Sequence, residues 1–383
     1  MRKLLSKENL YMGLVFLLIN ITSIVVVTNI IGFNLPLAFL ACGVNTIIFH
    51  KLTKDKLPSF IGTSGLFIGG ILTISAKYGT EYAVGGVFLS GVLYIIISLL
   101  FIKWQDNILN LIPQWLLSVG IVLIGLGLLP IGKDIISSNL VVGLISLITI
   151  VIIELKASNK VRLFSMPIAI AVGSVYYFIT NGIPTVEPQK LLLTLPKFNL
   201  ESFFTISIIT FATIFEIFAD CKLSGNIANI DLFKEVGMFR VIFANGVGSM
   251  INGLIGVAPT TSFSENNAGV QLTGKRNPDI QIVTSILFII LAFLTPVTNL
   301  FLMLPQEAFG GCLIFLFANI VINGINQIIN LDLKNNKKVN MIMSLMLAVF
   351  SMSFIVGGVS VSSIAVAMVI GIILNKLIKD EVV

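Results

Sequence analysis

The chain carries 18 acidic residues, and nearly all of them fall in loops or at the ends of apolar segments. Glu216 and Glu265 do not. Glu216 lies well inside the apolar run "SFFTISIITFATIFEIFADCK", and Glu265 lies in "APTTSFSENNAGVQLTG", a polar stretch between two apolar ones. A carboxylate at membrane depth costs at least ~2.5–3.5 kcal/mol on insertion scales, so it persists where it is protonated, paired or facing a ligand. No Lys or Arg occupies the middle of an apolar segment, so an internal salt bridge is not expected. Functional use of the pair is the better reading. Asp220 sits one helical turn after Glu216 on the same face, where it either relays protons or pairs with Lys222. The hydroxyls of Thr260, Thr261 and Ser262 and the backbone at Ser264 would complete a polar ring around the two glutamates.

Other chemistry has no machinery here. No Ser-His-Asp, Cys-His or HExxH constellation exists. Cys42, Cys221 and Cys312 are scattered without metal spacing and read as buried thiols. His50, the single histidine, stands beside Lys51 at a segment end and reads as an interfacial residue. No metal site and no cofactor are expected.

The elements that must position these groups are membrane segments. Of 383 residues 56% are hydrophobic and 11% charged, against roughly 25% charged in soluble domains. The expected class is an all-α polytopic membrane protein embedded in a lipid bilayer. About fourteen apolar segments can be placed, near 11–31, 35–50, 58–76, 82–102, 109–130, 138–155, 163–180, 202–221, 238–256, 259–273, 278–303, 306–329, 339–356 and 359–378. The stretch after "MRKLLSKENLYMG" stays apolar to about Ile31, too long for the h-region of a signal peptide. With both termini cytoplasmic, Lys77, Lys133, Lys190 and Lys197 fall outside and every other Lys and Arg falls inside, as the positive-inside rule asks. The net charge of +6 therefore sets topology in a cytoplasmic membrane and is not a footprint for nucleic acid.

Two segments are interrupted. "PSFIGTSGLFIGGI" (58–71) and residues 257–273 are short, and each has a proline followed by small and hydroxyl residues. They stand third and tenth, so two seven-segment repeats fit, and an odd number of segments per repeat inverts one half against the other. Non-helical backbone at membrane depth is tolerated only where protein buries it or a cavity lies beside it. Paired broken segments in inverted halves mark a transporter's binding site near the midplane, with half-helix N-termini aimed at the substrate. Two re-entrant turns with no ligand role are the plainer reading. The connection at 180–202, with three prolines, reads as an irregular linker between the halves.

The stretch "FEIFADCKLSGNI…DLFKEVGMFRVIFANGVGSMINGLIGVAPTTSFSENNAGVQLTG" resembles the signature half of the nucleobase/ascorbate transporter family, also called nucleobase:cation symporter-2. Glu265, Asn266, Thr273 and Gly274 match the family motif without a gap, and Glu216 falls where the family keeps its substrate glutamate. "KLPSFIGTS" (56–64), ending on Ser64, resembles the family's third segment, and "MLPQEAFGG" (303–311) the start of its twelfth. The resemblance implies a core of residues 1–103 and 198–303 that holds the site, and a gate of residues 104–197 and 304–383 through which relatives often dimerise. It implies cation-coupled symport of a nucleobase-like heterocycle (uracil, xanthine or another purine), with H⁺ the simplest ion and Na⁺ the alternative. Substrate would be held by Glu216, Glu265, Thr261, Ser264, Asn266, Ser64 and Gly65, with Asp220 and Glu216 serving proton coupling. Four positions depart from the family. Its first-helix Gln-His pair is replaced by "GLVFLLIN" (13–20), and its motif glycine falls on Ala268, with Gly269 next. A histidine one turn after the eighth-segment glutamate becomes Asp220. A base-stacking aromatic falls on Gly65, leaving room for a bicyclic base or a stack supplied by Phe67; alternatively, Gly65 merely lets two backbones approach. The rival functions are an inorganic-anion transporter or channel of the same fold superfamily, a non-transporting scaffold or receptor, and an intramembrane enzyme.

Overall fold

A computed structural model describes residues 4–378 of the chain, apart from 112–113, 208, 330–336, 353, 357–358 and 362. The first half runs α1 (Lys7–Ile31), α2 (Leu35–Leu52), β1 (Ile61–Thr63), a 3-10 turn (Gly65–Phe67), α3 (Ile68–Tyr78), α4 (Thr80–Leu111), α5 (Gln114–Ile136), α6 (Leu140–Lys156), the short α7 (Asn159–Arg162) and α8 (Ser165–Asn181). The second runs α9 (Leu200–Ser202), a π turn (Phe203–Ser207), α10 (Ile209–Ala228), a π turn (Leu232–Val236), α11 (Met238–Ile255), β2 (Thr260–Ser262), α12 (Ser264–Thr273), α13 (Pro278–Ala292) and α14 (Thr295–Leu302). It ends with α15 (Gln306–Ile329), α16 (Lys337–Phe350), β3 (Phe354–Val356), β4 (Val359–Val361) and α17 (Ser363–Leu377).

Local chemistry explains the main boundaries. The Ser6 hydroxyl accepts the Asn9 N–H to start α1, and Gly32 closes it in the left-handed conformation at φ 72°, where a Cβ would be strained. Asn34 caps α2, with Pro36 in the first turn. Among the described residues, seven helices are long and apolar enough to cross a membrane, eight if the bent pair α13–α14 is one span.

Every expected segment has a helical counterpart at its place, but four differ from expectation. The eleventh was expected to run unbroken over 278–303; instead α13 and α14 meet at 86°. Pro296 supplies the reason: it has no N–H to continue the ladder back to α13, and its ring crowds the preceding turn. The last two segments are shorter than expected, because Phe354–Val356 and Val359–Val361 pair as antiparallel strands. The eighth opens with a π turn at Phe203–Ser207.

Two groups of helices pack among themselves. In one, α2 lies against α11 and α13, α1 against α13, and α4 against α11. In the other, α15 lies against α5, α6 and α8, and α17 against α5 and α16. Small residues allow the closest approach, as is usual between membrane helices: a Cβ on Gly91 of α4 would come within 2.8 Å of the Gly246 carbonyl of α11. The linker after α8 is irregular, as expected, yet firmly tied. The Gln189 side chain accepts the Leu35 N–H at 3.0 Å, Asn34 donates to the Lys190 carbonyl at 2.7 Å, and the Lys197 N–H donates to the Glu81 carbonyl at 2.8 Å.

Candidate functional site

The two interrupted segments meet. β1 and β2 pair antiparallel, with Ile61 opposite Ser262, Gly62 opposite Thr261 and Thr63 opposite Thr260. The Ser64 N–H donates to the Pro259 carbonyl at 2.8 Å and the Phe263 N–H to the Phe60 carbonyl at 3.1 Å. A two-stranded ribbon leaves its outer backbone groups bare, which membrane depth does not allow. Side chains from flanking helices satisfy them. Thr46 of α2 accepts the Ile61 N–H at 2.9 Å and donates to the Ile61 carbonyl at 3.1 Å. On the other edge Ser249 of α11 accepts the Thr260 N–H at 3.0 Å, and Asn252 donates to the Ala258 carbonyl at 2.6 Å. Asn252 is itself held by Asn45 at 2.8 Å.

Each strand leads directly into a helix, and because the strands are antiparallel the chain leaves them in opposite directions. Neither helix start carries a side-chain cap: Ser64 before the 3-10 turn and Phe263 before α12 make no capping hydrogen bond. Two sets of first-turn N–H groups therefore open beside the ribbon, with the positive ends of both helices.

Acidic groups stand around this point. Glu216 of α10 is half-buried, and its Oε2 accepts the Thr261 hydroxyl at 3.2 Å. Glu265, in the first turn of α12, is also half-buried, and its Oε1 accepts the Ser23 hydroxyl at 2.8 Å. Asp220 is buried; its Oδ1 accepts the exposed Ser264 hydroxyl at 2.8 Å and its carbonyl accepts the Asn267 amide at 3.0 Å. The three carboxylates are close enough to interact electrostatically.

Several expected site residues have other work. Asn266 is wholly buried: it donates to the Pro58 carbonyl at 2.8 Å and accepts from Asn20 at 3.3 Å, so it ties the tenth segment to the third and the first. Thr260 turns away from the glutamates, its hydroxyl donating to the Asn245 carbonyl at 2.9 Å, and Ser262 meets Cys221 at 3.3 Å. Ser64 is buried and its hydroxyl has no protein partner. Phe67 is fully enclosed in the apolar core, so its ring is not presented to a ligand. Asp220 does not pair with Lys222, whose ammonium instead lies over the Phe218 ring, 5.9 Å from its centroid. His50 is buried rather than interfacial, with Nε2 3.0 Å from the Ser59 carbonyl. Cys42, Cys221 and Cys312 are buried and free.

Gly62 and Gly65 of the third segment differ. A Cβ on Gly62 would run into the Phe263 ring, which covers this residue. Gly62→Ala is expected to destabilise by about 1–3 kcal/mol, the usual cost of overpacking; a melting curve of the purified variant level with wild type would refute this close packing. Gly65 is half-buried, and a Cβ there would meet only Val27 at 3.7 Å and Ile68 at 3.9 Å, ordinary contacts. Close backbone approach does not require glycine at 65, where a methyl group would fit at ordinary van der Waals distance.

Sequence reading passed over Asn20, Ser23 and Asn267. The signal for the first two was present: Asn20 and Ser23, three residues apart within the apolar middle of α1, share a face.

The Permease family profile matches residues 7–357. A probable uracil permease of Haemophilus influenzae is 25% identical, over 97% of this chain and 95% of its own. The uracil permease of Bacillus subtilis is 25% identical, over 93% and 89%. Among solved structures, the transmembrane domain of a cyanobacterium bicarbonate transporter, BicA, superposes with a TM-score of 0.68 over 96% of both chains at 14% identity, a likeness of fold alone. The match over nearly the whole length shows that the chain belongs to the Permease family and is a membrane transporter, not an enzyme.

Proposed function

We propose that this chain is a secondary active transporter that carries a nucleobase-like heterocycle across the cytoplasmic membrane in symport with a cation, H⁺ being the simplest. One observation carries the reading: two half-buried glutamates, Glu216 and Glu265, stand beside two uncapped helix starts at the crossing of the broken segments. A planar base offers N–H donors and C=O acceptors along its edges; carboxylates suit the former and backbone N–H groups the latter. The names of the sequence relatives point to the same substrate class.

The transport cycle we infer is alternating access. Residues 1–103 and 198–303 form a core that moves against a gate of residues 104–197 and 304–383, each half of the chain being one of two inverted seven-segment repeats. Both termini face the cytoplasm, and a homodimer through the gate belongs to the same proposal. The mutual packing of α1, α2, α4, α11 and α13, apart from α5, α6, α8, α15 and α17, supports the division. An inorganic anion is the rival cargo, because the fold neighbour BicA is a bicarbonate transporter. Three carboxylates around the ribbon argue against it, since they repel an anion at close range.

Uptake of radiolabelled uracil, xanthine, guanine and sulfate into proteoliposomes tests the reading. Accumulation of a base supports it; sulfate uptake with no base transported reverses it. The room for a methyl group at Gly65 makes a second expectation. Gly65→Ala should fold with an unchanged or slightly higher melting temperature, because the backbone conformation suits alanine. It should also lower the competition by bicyclic bases more than that by uracil. If only pyrimidines displace substrate from the wild type, the enlarged pocket is wrong.

A further inference from the structure

We propose that Ser23 of α1 is a positioning residue that fixes the Glu265 carboxylate and thereby sets the preference for a substrate with a ring N–H at that point. The proposal deepens the nucleobase reading and rests on it. α1 turns a narrow polar face toward the start of α12, with Asn20 and Ser23 three residues apart. Asn20, fully buried, donates to Asn266, and Ser23, 8% exposed, donates to Glu265 Oε1 at 2.8 Å. Below them α12 is pressed onto the same helix: a Cβ on Gly269 would lie 2.9 Å from Phe16 and 3.0 Å from Ile19. α12 therefore cannot shift along α1 without breaking these contacts.

A serine inside a helix usually satisfies its hydroxyl on its own backbone one turn earlier. Ser23 instead donates across to a carboxylate. A hydroxyl gives one proton, so this bond engages Oε1 and leaves Oε2, which no protein hydrogen bond reaches among the described residues, as the oxygen presented to ligand. The bond also stops the carboxylate from rotating about its last torsion. An acceptor held in one orientation binds a directional N–H donor without first losing freedom of its own. An N-methylated ring gains nothing from that orientation, so Ser23 contributes to discrimination as well as affinity.

The test uses purified full-length protein and equilibrium binding of uracil, xanthine and guanine, each with its singly N-methylated forms, and of sulfate. For the tightest-binding base, Ser23→Ala should weaken binding about three- to tenfold, within the net contribution of one ordinary hydrogen bond, because the serine acts on the base only through Glu265. Its preference over the N-methylated form should shrink by a similar factor. Ser23→Thr, which keeps the donor, should stay within about twofold of wild type. In a Glu265→Gln background, Ser23→Ala should add almost nothing. Equal binding by wild type and Ser23→Ala overturns the proposal, as does a loss that persists undiminished in the Glu265→Gln background, which would mark a packing role. If no base binds the wild type while sulfate does, the nucleobase reading fails first and this assignment falls with it, a pattern distinct from either of the others.

Discussion

Glu216→Ala and Glu265→Ala are each expected to weaken nucleobase binding by roughly ten- to a hundredfold, from the ~1.5–3 kcal/mol that a hydrogen bond to a charged group contributes. Each glutamate has one oxygen held by a protein hydroxyl, Thr261 for Glu216 and Ser23 for Glu265, and is half-buried beside the strand pair. That arrangement resembles a pair of fixed acceptors more than a pair of surface charges. Loss of the side chain would remove the acceptor and leave Thr261 or Ser23 without its partner. Glu→Gln keeps the shape but turns one side of the group into a donor, so its penalty should depend on which edge of the base it meets. Isothermal titration with the transported base measures all four variants. Unchanged affinity in either alanine variant removes that glutamate from the site. A loss of folding would show first in the melting curve, and the glutamine variants then carry the comparison.

The frame around these groups was legible because membrane physics writes it plainly. Apolar runs of spanning length mark the helices, and Pro58 and Pro259, each followed by small and hydroxyl residues, mark the two places where helix gives way to strand. The pairing of those places was legible only as a correspondence of position; the hydrogen bonds that make it, from Thr46, Ser249 and Asn252, come from other segments and leave no local trace. The bend before Pro296 was written in the sequence too, but an unbroken apolar run around it outweighed a single proline. Side-chain direction was the least legible property. Phe67 and Thr260 have the right chemistry for a binding site, and both point into protein, because the twist of a 3-10 turn and the alternation of a strand decide the matter. Ser23 is the converse case. The spacing of Asn20 and Ser23 marks a polar face on α1, but what that face meets is known only once α12 is in place.

Asp220 is where the sequence left two readings open, and its surroundings favour the relay over the ion pair. The residue is buried, its Oδ1 takes the Ser264 hydroxyl, and its Oδ2 has no partner among the described residues. No ion pair reaches it among the described residues, and Lys222 lies elsewhere, over Phe218. A charge taken out of water without a counter-charge is costly, and a proton on Oδ2 would cancel that charge. Asp220 also joins the two halves of the site: it stands one turn from Glu216 on α10 and holds the first turn of α12 through Ser264 and Asn267. A proton arriving there with substrate would lower the charge of the carboxylate cluster before the core moves. In proteoliposomes an inward pH gradient without Na⁺ should then drive accumulation of the base above its external concentration. Asp220→Asn preserves the size and the Ser264 contact but cannot gain or lose the proton. It should abolish accumulation under the gradient while leaving exchange of labelled for unlabelled base largely intact. Accumulation that ignores the pH gradient and requires Na⁺ would instead make Asp220 a candidate sodium ligand. In that case the substrate assignment of Glu216 and Glu265 is untouched, because equilibrium exchange depends on the binding groups and not on the ion that drives the cycle.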